Sequence, residues 1–527
     1  HGFMQKSWNL KAGFDRLLLF ENTKYSNIVF LRGKGENKDT ISILSNGRLI
    51  YSDGWEEGAK EKTGFLLNVH PSPETILVLG LPAFQSIEVL EKMKLKETTI
   101  IVNDPFFKAM GTFFHFPGKI QVGDGRRYLK TLTNKKFDII WVTYYEPMSI
   151  SGNRYFTQEF FNLVNRHLKD DGFFIINVNG SENFLSENQG MMIANLYNTL
   201  NSEFEFIRFS PGDEFIFFAS KNKFIFEPKE LFLKYQKEPK EYKEFKPEIF
   251  LIKIQPDREK YFLSILKKFD ITINTDLHPI LFLNSISVWG EINETRTLEL
   301  FSRLSKKTKF IIWIIVGLII IVSISLLFRK RTYGFNTSSI TWSLITTGTT
   351  AISFELICLY LFQISFGNIF EKIGLLTGVF MFGIALGALI GLKLKNSGKT
   401  LFIILEAGIV ILCLINWWFS DKIIYMKDFS MSMFIISLLF LMGLISGIEF
   451  PIAAKLLKRF QKKLNHRAAW VLSSDLFGAL IGSCIVPLLL VPAVGLKTTL
   501  ILISLINLSS FVILILREFI TKERVPN

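Results

Sequence analysis

The stretch TILVLGLPAFQ, residues Thr75 to Gln85, decides the fold of this chain. The apolar run from Thr75 to Leu79 has the length of a buried strand, Gly80 supplies a turn, and a helical pattern runs from Phe84 to Lys94. A strand, a tight turn and a helix in this order form the repeating unit of a parallel α/β sheet.

The same unit recurs further along the chain. The other predicted elements are strands over 98–102, 136–142 and 172–178 and a helix over 156–168. This alternation predicts an α/β fold with a doubly wound parallel sheet.

A different pattern precedes this sheet. Short β-rich runs occupy 28–31, 40–44 and 48–51, and the last two are joined by Asn46 and Gly47, a pair typical of tight hairpin turns. We therefore predict three domains. They are a small N-terminal antiparallel β-domain over 1–70, an α/β domain over 71–305 and a transmembrane helical domain over 306–527.

Three residues near the carboxyl ends of the predicted strands are candidates for holding a cofactor: Gly80, Asp104 and Asp124. Ligands bind at this edge of a parallel sheet, where glycines let the backbone approach a cofactor and an acid holds a ribose. Gly80 is the one glycine in a turn that would be expected to contain three, and Pro82 and Phe84 add bulk there. Asp124 lies in a Gly-Asp-Gly sequence that also suits a tight turn without any ligand.

The order of these segments resembles the spermidine synthase (polyamine aminopropyltransferase) family. The segments that carry the resemblance are ILVLG (76–80), IVNDP (101–105), VGDGRRYL (122–129), FDIIWVTYYEP (137–147) and FTQEFF (156–161). The resemblance implies a Rossmann-like fold of the methyltransferase and spermidine synthase type. It also implies that Asp124 faces the adenine of an S-adenosyl-type cofactor, and that Val102 replaces the ribose-binding Glu beside Asp104.

The same resemblance argues against catalysis. The family's catalytic stretch, Asp-Ser-Ser-Asp-Pro, corresponds here to Thr143-Tyr144-Tyr145-Glu146-Pro147. Thr143 stands at the position of the base, and loss of a general base lowers a rate by about 10²–10⁴-fold. Glu146 keeps a carboxylate, so cation binding without turnover stays open. We expect no catalytic residue, no metal and no cofactor, with an S-adenosylmethionine-type ligand as the alternative.

The composition of the chain averages two unlike halves. The chain is 49% hydrophobic and 20% charged, with a mean hydropathy of +0.30. Apolar runs long enough to cross a hydrocarbon core of about 30 Å occupy 310–328, 341–365, 373–394, 400–419, 430–453, 468–491 and 498–516. These runs predict an all-α transmembrane bundle of about seven helices.

Basic residues in the loops predict the orientation of this bundle. The loops after the first, third, fifth and seventh runs carry about twice as many Lys and Arg residues as the opposite loops, which places them in the cytoplasm. The soluble domain then lies on the non-cytoplasmic side of a bacterial-type inner membrane. Since these loops also hold much of the net charge of +14, we expect no nucleic-acid partner.

Four acidic residues fall inside the apolar runs: Glu355, Glu406, Glu449 and Asp475. An ionised carboxylate at mid-depth costs about 2.5–3.5 kcal/mol or more, so each should face the bundle interior or water. Glu406, Glu449 and Asp475 lie at similar depth and predict one cation or proton site, with Glu355 deeper along a path. Pairing with loop lysines or capping of neighbouring helices is the alternative.

Glycines recur at every fourth residue in two of the apolar runs. They are Gly383, Gly387 and Gly391 in one run and Gly478 and Gly482 in another. Small residues on one helical face allow close approach of a second helix, so we interpret both sets as packing seams.

The apolar half resembles polytopic proteins in which a spermidine synthase domain is fused to transporter-like helices. The resemblance rests on the run 354–391 and on GIEFP (447–451), SDLFGALIG (474–482) and NTDLHP (274–279). In those proteins a second helical half commonly precedes the soluble domain. Its absence here and a first residue, His1, other than Met suggest an absent or separately encoded partner half.

These observations lead to one hypothesis with two alternatives. The hypothesis is a membrane protein with a degenerate, non-catalytic spermidine synthase-like domain that acts as a binding, transport or complex-assembly subunit. Its partners would be the lipid bilayer and other membrane subunits. The alternatives are a membrane-anchored aminopropyltransferase of polyamine biosynthesis and a polyamine or proton-coupled transporter.

Overall fold

The chain forms two compact units, His1–Thr275 and Asp276–Asn527. The computed structural model describes residues 16–33, 40–53, 56–93, 95–113, 120–143, 147–237, 245–269, 272–292, 308–328, 337–367, 370–394, 398–423, 426, 428–459 and 463–523. Within this part of the chain, the first unit contains both sheets and the second contains helices.

The first unit begins with a four-stranded antiparallel sheet. Its strands, in spatial order, are β1 (Arg16–Asn22), β2 (Asn27–Arg32), β3 (Ile41–Ser45) and β4 (Arg48–Ser52). Asn46 and Gly47 join β3 to β4 with φ angles of 50° and 81°, the positive values that a two-residue hairpin turn requires. The predicted N-terminal antiparallel β-sheet is therefore confirmed, and β1 extends it by one strand that the sequence pattern did not predict.

A seven-stranded sheet follows, in the order β10-β11-β9-β8-β5-β6-β7. Its strands are β5 (Thr75–Leu79), β6 (Glu97–Val102), β7 (Ile120–Val122), β8 (Phe137–Val142), β9 (Leu168–Asn179), β10 (Phe206–Ser210) and β11 (Glu214–Ser220). Strands β5 to β9 pair in parallel, which confirms the doubly wound, Rossmann-like methyltransferase or spermidine synthase type of fold. At one edge the sheet is extended by β10 and β11, two strands that the sequence pattern did not predict. The short connection 211–213 joins them as an antiparallel hairpin, and β11 also pairs antiparallel with β9.

Helices connect the strands of this sheet. They are α1 (Glu56–Asn68), α2 (Phe84–Lys92), α3 (Pro105–Phe113), α4 (Gly125–Thr131), α5 (Ile150–Asn153), α6 (Gln158–His167), α7 (Glu187–Asn201), α8 (Pro228–Lys237), α9 (Ile249–Lys253) and α10 (Pro256–Leu266). From β5 the chain proceeds to β6 and β7 on one side, and later to β8 and β9 on the other. The carboxyl ends of β5 and β8 therefore flank the crevice in which such sheets bind ligands.

The second unit is helical in the part that the structure describes. Its helices are α11 (Ile280–Ile292), α12 (Thr308–Phe328), α13 (Thr337–Phe366), α14 (Phe370–Lys393), α15 (Lys399–Ile423), α16 (Asp428–Leu456), α17 (Leu464–Ile485) and α18 (Val491–Glu523). Five described helical stretches are long and apolar enough to cross a membrane: 337–366, 372–393, 399–422, 428–456 and 464–518. The predicted all-helical, membrane-like region is thus confirmed.

The last of these stretches contains two of the predicted spans. It covers 55 residues and would be about 80 Å long as one straight helix, far more than one bilayer core. Gly495, with φ 83° and ψ 165°, interrupts it near the start of α18. A Cβ there would lie 2.8 Å from the Leu277 carbonyl oxygen, which accepts a hydrogen bond from the Leu496 backbone N–H at 2.7 Å. Glycine is therefore required at this break by both its dihedral angle and its contact.

The glycine seams of the second unit are confirmed. A Cβ on Gly387 of α14 would lie 2.2 Å from the Leu444 carbonyl oxygen of α16, so the two backbones are in direct contact. Gly443 and Gly447 of α16, which were not predicted, make the reciprocal contacts with α14. Gly478 and Gly482 of α17 pack in the same way against α13.

Ion pairs join α15 and α18 near both of their ends. Lys399 pairs with Glu518 at 2.9 Å, and Lys497 pairs with Asp421 at 2.5 Å. Along α15, Lys399 and Asp421 are separated by about 33 Å at 1.5 Å per residue, close to the thickness of a hydrocarbon core. These pairs mark the limits of the apolar segment and give a scale for the depth of the acids between them.

Candidate functional site

Gly80 and Thr143 lie at the carboxyl ends of β5 and β8. The Gly80 N–H donates to the Ile101 carbonyl at 2.9 Å, and the Thr143 N–H donates to the Leu79 carbonyl at 3.0 Å. Gly80 has a φ of 102°, which favours glycine irrespective of any ligand. The Thr143 hydroxyl is buried and has no hydrogen-bond partner among the described residues.

The three residues after Thr143 belong to the predicted catalytic stretch. Tyr144, Tyr145 and Glu146 lie outside the described residues, so Glu146 stays a sequence-based prediction.

Bulky side chains follow Gly80, as the sequence predicts, and they belong to the protein core. Phe84 is 1% exposed and its ring meets Tyr51 of β4 edge to face at 6.4 Å. The Gln85 side-chain amide donates to the Ser52 carbonyl at 3.0 Å. This turn therefore holds the N-terminal sheet against the first helix of the larger sheet.

Asp104, the candidate ribose contact, is buried and bonded to protein groups on both oxygens. Oδ1 accepts a hydrogen bond from the Phe106 backbone N–H at 3.0 Å at the start of α3. Oδ2 accepts a hydrogen bond from the Thr23 hydroxyl, which comes from the loop between β1 and β2. The carboxylate thus caps a helix and ties the N-terminal sheet to the end of β6.

Asp124, the candidate adenine contact, is also bonded through both oxygens. Oδ1 accepts from the Arg127 backbone N–H at 2.9 Å and so caps α4. Oδ2 accepts from Arg154 Nη1 at 2.5 Å and from the Tyr155 hydroxyl at 3.1 Å. Because the Arg154 side chain is 1% exposed, this is a largely buried ion pair.

Sequence reasoning missed Arg154 and Tyr155. They lie 30 and 31 residues beyond Asp124, after the short helix α5, and no local spacing links them to it. A basic residue next to the apolar segment Tyr155–Phe156 was the one available signal.

A second polar cluster lies at the opposite, amino-terminal ends of β5 and β8. Asp138 accepts hydrogen bonds from Thr75 through its backbone and hydroxyl groups, both at 2.8 Å, and from Lys169 Nζ at 2.9 Å. Burial raises the pKa of such a carboxyl, but these bonds prevail and hold the pKa of Asp138 below its ordinary value. Ligand atoms of His70, Asp138 and Asp171 lie within 4.8 Å of one another, a grouping that no sequence spacing reveals.

In the second unit, the structure brings Glu406 into a polar pocket between helices. Glu406 is wholly buried on α15. It accepts hydrogen bonds from the Ser343 hydroxyl of α13, and from the Asn507 amide and the Ser510 hydroxyl of α18, both at 2.6 Å. These hydroxyl and amide residues, all within apolar runs, were not predicted, although polar side chains there are a usable signal.

Glu449 of α16 is the neighbour of Glu406. It is also wholly buried, and neither of its carboxyl oxygens has a hydrogen-bond partner among the described residues. Glu406 and Asp475 both lie within electrostatic range of Glu449, while the Thr347 hydroxyl of α13 lies beside the two glutamates.

The other two intramembrane acids are placed apart from this pair. Asp475 of α17 is half-buried, with a carboxylate oxygen 2.8 Å from where a Cβ on Gly348 would lie. Glu355 is buried on α13 and interacts with Thr377 of α14. It lies about 18 Å along α13 from Ser343, in the direction predicted for a deeper group.

Cations at the end of α16 and the start of α17 bind helix ends in the described residues. Lys455 Nζ donates to the carbonyl oxygens of Gly391 and Leu394, both at 2.9 Å, at the end of α14. Arg467 donates to the Ala454 carbonyl at 3.2 Å. Both contacts satisfy C-terminal carbonyls, as expected for cations at helix C-termini.

Comparison with known proteins finds a similarity to one domain family. Residues 89–206 match the model of the spermine/spermidine synthase domain. The chain is 26% identical to the polyamine aminopropyltransferase of Oceanobacillus iheyensis over 181 residues, covering 31% of this chain and 33% of that protein. It is 25% identical to the enzyme of that name from Leptospira interrogans over 146 residues, covering 27% and 28%. The chain thus spans a third or less of the length of these two relatives.

A third relative is matched over more of its length. Polyamine aminopropyltransferase 1 of Aquifex aeolicus is 25% identical over 200 residues, covering 34% of this chain and 69% of that protein. Among solved structures, a spermidine synthase in complex with the transition state analogue AdoDATO matches at 18% identity and a TM-score of 0.37, covering 48% of this chain and 88% of the other. Spermidine synthase from Thermotoga maritima matches at 19% and 0.37, covering 48% and 89%.

Proposed function

Because the chain contains a spermidine synthase-like domain and a unit of apolar helices, we propose that it is an integral membrane protein whose synthase-like domain does not transfer aminopropyl groups. It acts as a binding, transport or complex-assembly subunit. The observation that carries this proposal is the buried Asp124–Arg154 ion pair, in which the acid that the resemblance assigns to a cofactor already has a protein partner.

Two further positions support the proposal. Asp104 is buried and accepts hydrogen bonds from Thr23 and Phe106, so it has a fold-stabilising role that needs no ribose. Thr143 occupies the position of the base, and its hydroxyl does not titrate near neutral pH. The loss of a base and the structural roles of both acids argue against aminopropyl transfer.

The rival function is a membrane-anchored aminopropyltransferase of polyamine biosynthesis. It is favoured by the names of the relatives and by the match of residues 89–206 to the synthase model. In that case Asp124 and Asp104 would serve the cofactor, and Glu146 the amine.

Turnover by the full chain separates the two functions. The purified protein in lipid nanodiscs is incubated with decarboxylated S-adenosylmethionine and putrescine, and the aminopropylated amine is measured by mass spectrometry. We expect no product above a protein-free control. Product formation that is lost in a Thr143→Val variant and kept in Thr143→Ser would overturn the proposal.

A gain-of-function variant sharpens this test. Thr143→Asp restores a carboxylate at the base position, and Thr143→Asn is the matched uncharged control. We expect neither variant to gain activity, since the Asp124–Arg154 pair is unchanged in both. Turnover restored by the aspartate alone would show that a single substitution separates this chain from an enzyme.

We further propose that the protein lies in a bacterial-type cytoplasmic membrane with its first unit on the non-cytoplasmic side, alongside other membrane subunits. Single cysteines at Asn201 and Asn465, in a Cys484→Ser background, would be labelled with a membrane-impermeant maleimide in intact cells. We expect labelling of Asn201→Cys alone until the cells are permeabilised. Equal labelling of both positions would contradict this orientation and would mean that α12 does not cross the membrane.

A further inference from the structure

We propose that Glu406 and Glu449 form a binding site for one small monovalent cation, a proton or an alkali-metal ion, inside the helical unit. The proposal deepens the proposed function, because it assigns a ligand class to the membrane part. It rests on the helices crossing a bilayer and is independent of whether the first unit is catalytic.

The two glutamates lie where four helices meet. Glu406 of α15 and Glu449 of α16 meet where α13 and α18 also contribute polar groups. Glu406 lies seven residues beyond Lys399, which places it about 10 Å inside the ion pair that marks one limit of the apolar segment. Both glutamates are wholly buried, so bulk water does not solvate either carboxylate in this arrangement.

The two carboxylates differ in their hydrogen bonds. Glu406 accepts three hydrogen bonds, from two hydroxyls and an amide, and bonds of this kind stabilise the ionised form. Neither oxygen of Glu449 has a partner among the described residues. Donors therefore stabilise a charge on Glu406, whereas the described residues offer no donor to a charge on Glu449.

The two carboxylates repel each other when both are ionised. Two ionised carboxylates in contact within a low-dielectric interior repel strongly, and removing either charge from water is itself costly. Among the described residues, the charged groups that act on Glu449 are acidic, namely Glu406 and Asp475 of α17. From the described residues, α13 and α18 contribute hydroxyl and amide groups, while α14 presents glycines to α16.

The available ligand atoms indicate the class of cation. Besides the two Glu449 oxygens, two more side-chain oxygens are buried without a hydrogen-bond partner in the described part of the chain: the Thr347 hydroxyl and the side-chain amide oxygen of Asn507. All of these atoms are oxygens, which hard cations and protons prefer over soft metals. Because three donors already stabilise Glu406, the charge that lacks any donor is the single charge of Glu449, and a monovalent cation matches it.

The test uses the full chain in lipid nanodiscs. Thermal unfolding is followed at fixed ionic strength while Na⁺, K⁺ or Li⁺ replaces choline, and infrared spectra record protonated carboxyl groups at neutral pH. Glu449→Gln removes the proposed site, Glu406→Gln removes the neighbouring carboxylate, and Glu355→Gln is the matched control at a buried acid outside the pair.

Two results would support the site and identify the cation. An alkali-metal ion raises the unfolding midpoint in proportion to the logarithm of its concentration, as for any ligand of the folded state, in wild type and Glu355→Gln but not in Glu449→Gln. A proton gives no ion dependence but a protonated carboxyl band that disappears in Glu449→Gln, shifts in Glu406→Gln and is unchanged in position in Glu355→Gln.

Two other results would overturn it. The first is a wild-type protein with neither ion dependence nor any protonated carboxyl band at neutral pH. The second is stabilisation by Ca²⁺ or Mg²⁺ in place of monovalent ions. Both are read on the wild-type chain, so the test stands even where a glutamine variant does not fold. Aminopropyl transfer is assayed separately, so its presence or absence leaves these readings unchanged.

Discussion

Asp104 and Asp124 in the first unit and Glu406 and Glu449 in the second are all shielded from solvent, yet their surroundings differ. Both oxygens of each aspartate are bonded to the protein, and Asp124 also has a buried Arg as partner. Of the glutamates, Glu406 is bonded in the same way, and Glu449 has no described hydrogen-bond partner. The acids that the family resemblance selects, Asp104 and Asp124, thus stabilise the fold. The acid without a described hydrogen-bond partner, Glu449, lies among the apolar helices.

The units also differ in how their elements are held together. Polar pairs such as Asp124–Arg154 and Asp138–Lys169 connect separate segments of the first unit. In the second unit the closest contacts join backbones at glycines, as between Gly387 and Leu444. Three substitutions test this difference, from the largest expected effect to the smallest.

Asp124→Asn should have the largest effect. Asparagine can still cap α4, but it leaves the Arg154 guanidinium buried without its anion, so we expect a loss of about 3–5 kcal/mol in the stability of the first unit. Hydrogen exchange of the peptides covering α4 and α6, measured in urea on the full chain, would report the loss. The control is Asp213→Asn at an exposed residue, and equal protection in the two variants would show that the ion pair is not structural.

Asp138→Asn should have an intermediate effect with a defined pH dependence. At neutral pH we expect a loss of about 1.5–3 kcal/mol, because Lys169 and Thr75 donate to a charged acceptor. The folded pKa of Asp138 lies below its ordinary value of 3.8, so its stabilisation is present above that value and is lost as the pH falls through the folded pKa. The gap between wild type and variant in urea unfolding should therefore narrow in acid, and a gap that widens would contradict the assignment.

Gly387→Ala should have the smallest effect of the three and should act on the second unit alone. The new methyl group would lie 2.2 Å from the Leu444 carbonyl oxygen, forcing α14 and α16 apart at a cost of about 1–3 kcal/mol. Gly378→Ala on the same helix is the control, because a Cβ there meets nothing within 4 Å. Detergent-induced unfolding of the two variants makes the comparison, and identical midpoints would show that the seam tolerates separation.

Much of the fold could be predicted from local sequence. The apolar run before Gly80 and the Asn46-Gly47 turn have lengths and residue types that restrict the backbone to one arrangement each. The glycines at every fourth residue of α14 predicted a contact with another helix, because only small side chains let two helix backbones approach closely. The antiparallel edge β10–β11 was missed, because β10 has only five residues and the nearly continuous apolar sequence of β11 shows no alternation.

The sequence by itself determined the strand-turn-helix order, the apolar helices and the type of residue at each candidate position, because these depend on side chains close together in the chain. Tertiary structure alone decided what each acid does. Arg154 is brought to Asp124, Thr23 to Asp104, and Ser510 to Glu406 by contacts across many residues. Whether a buried carboxylate is a structural anchor or an unsatisfied site depends on such partners, since a charge without them is costly to bury.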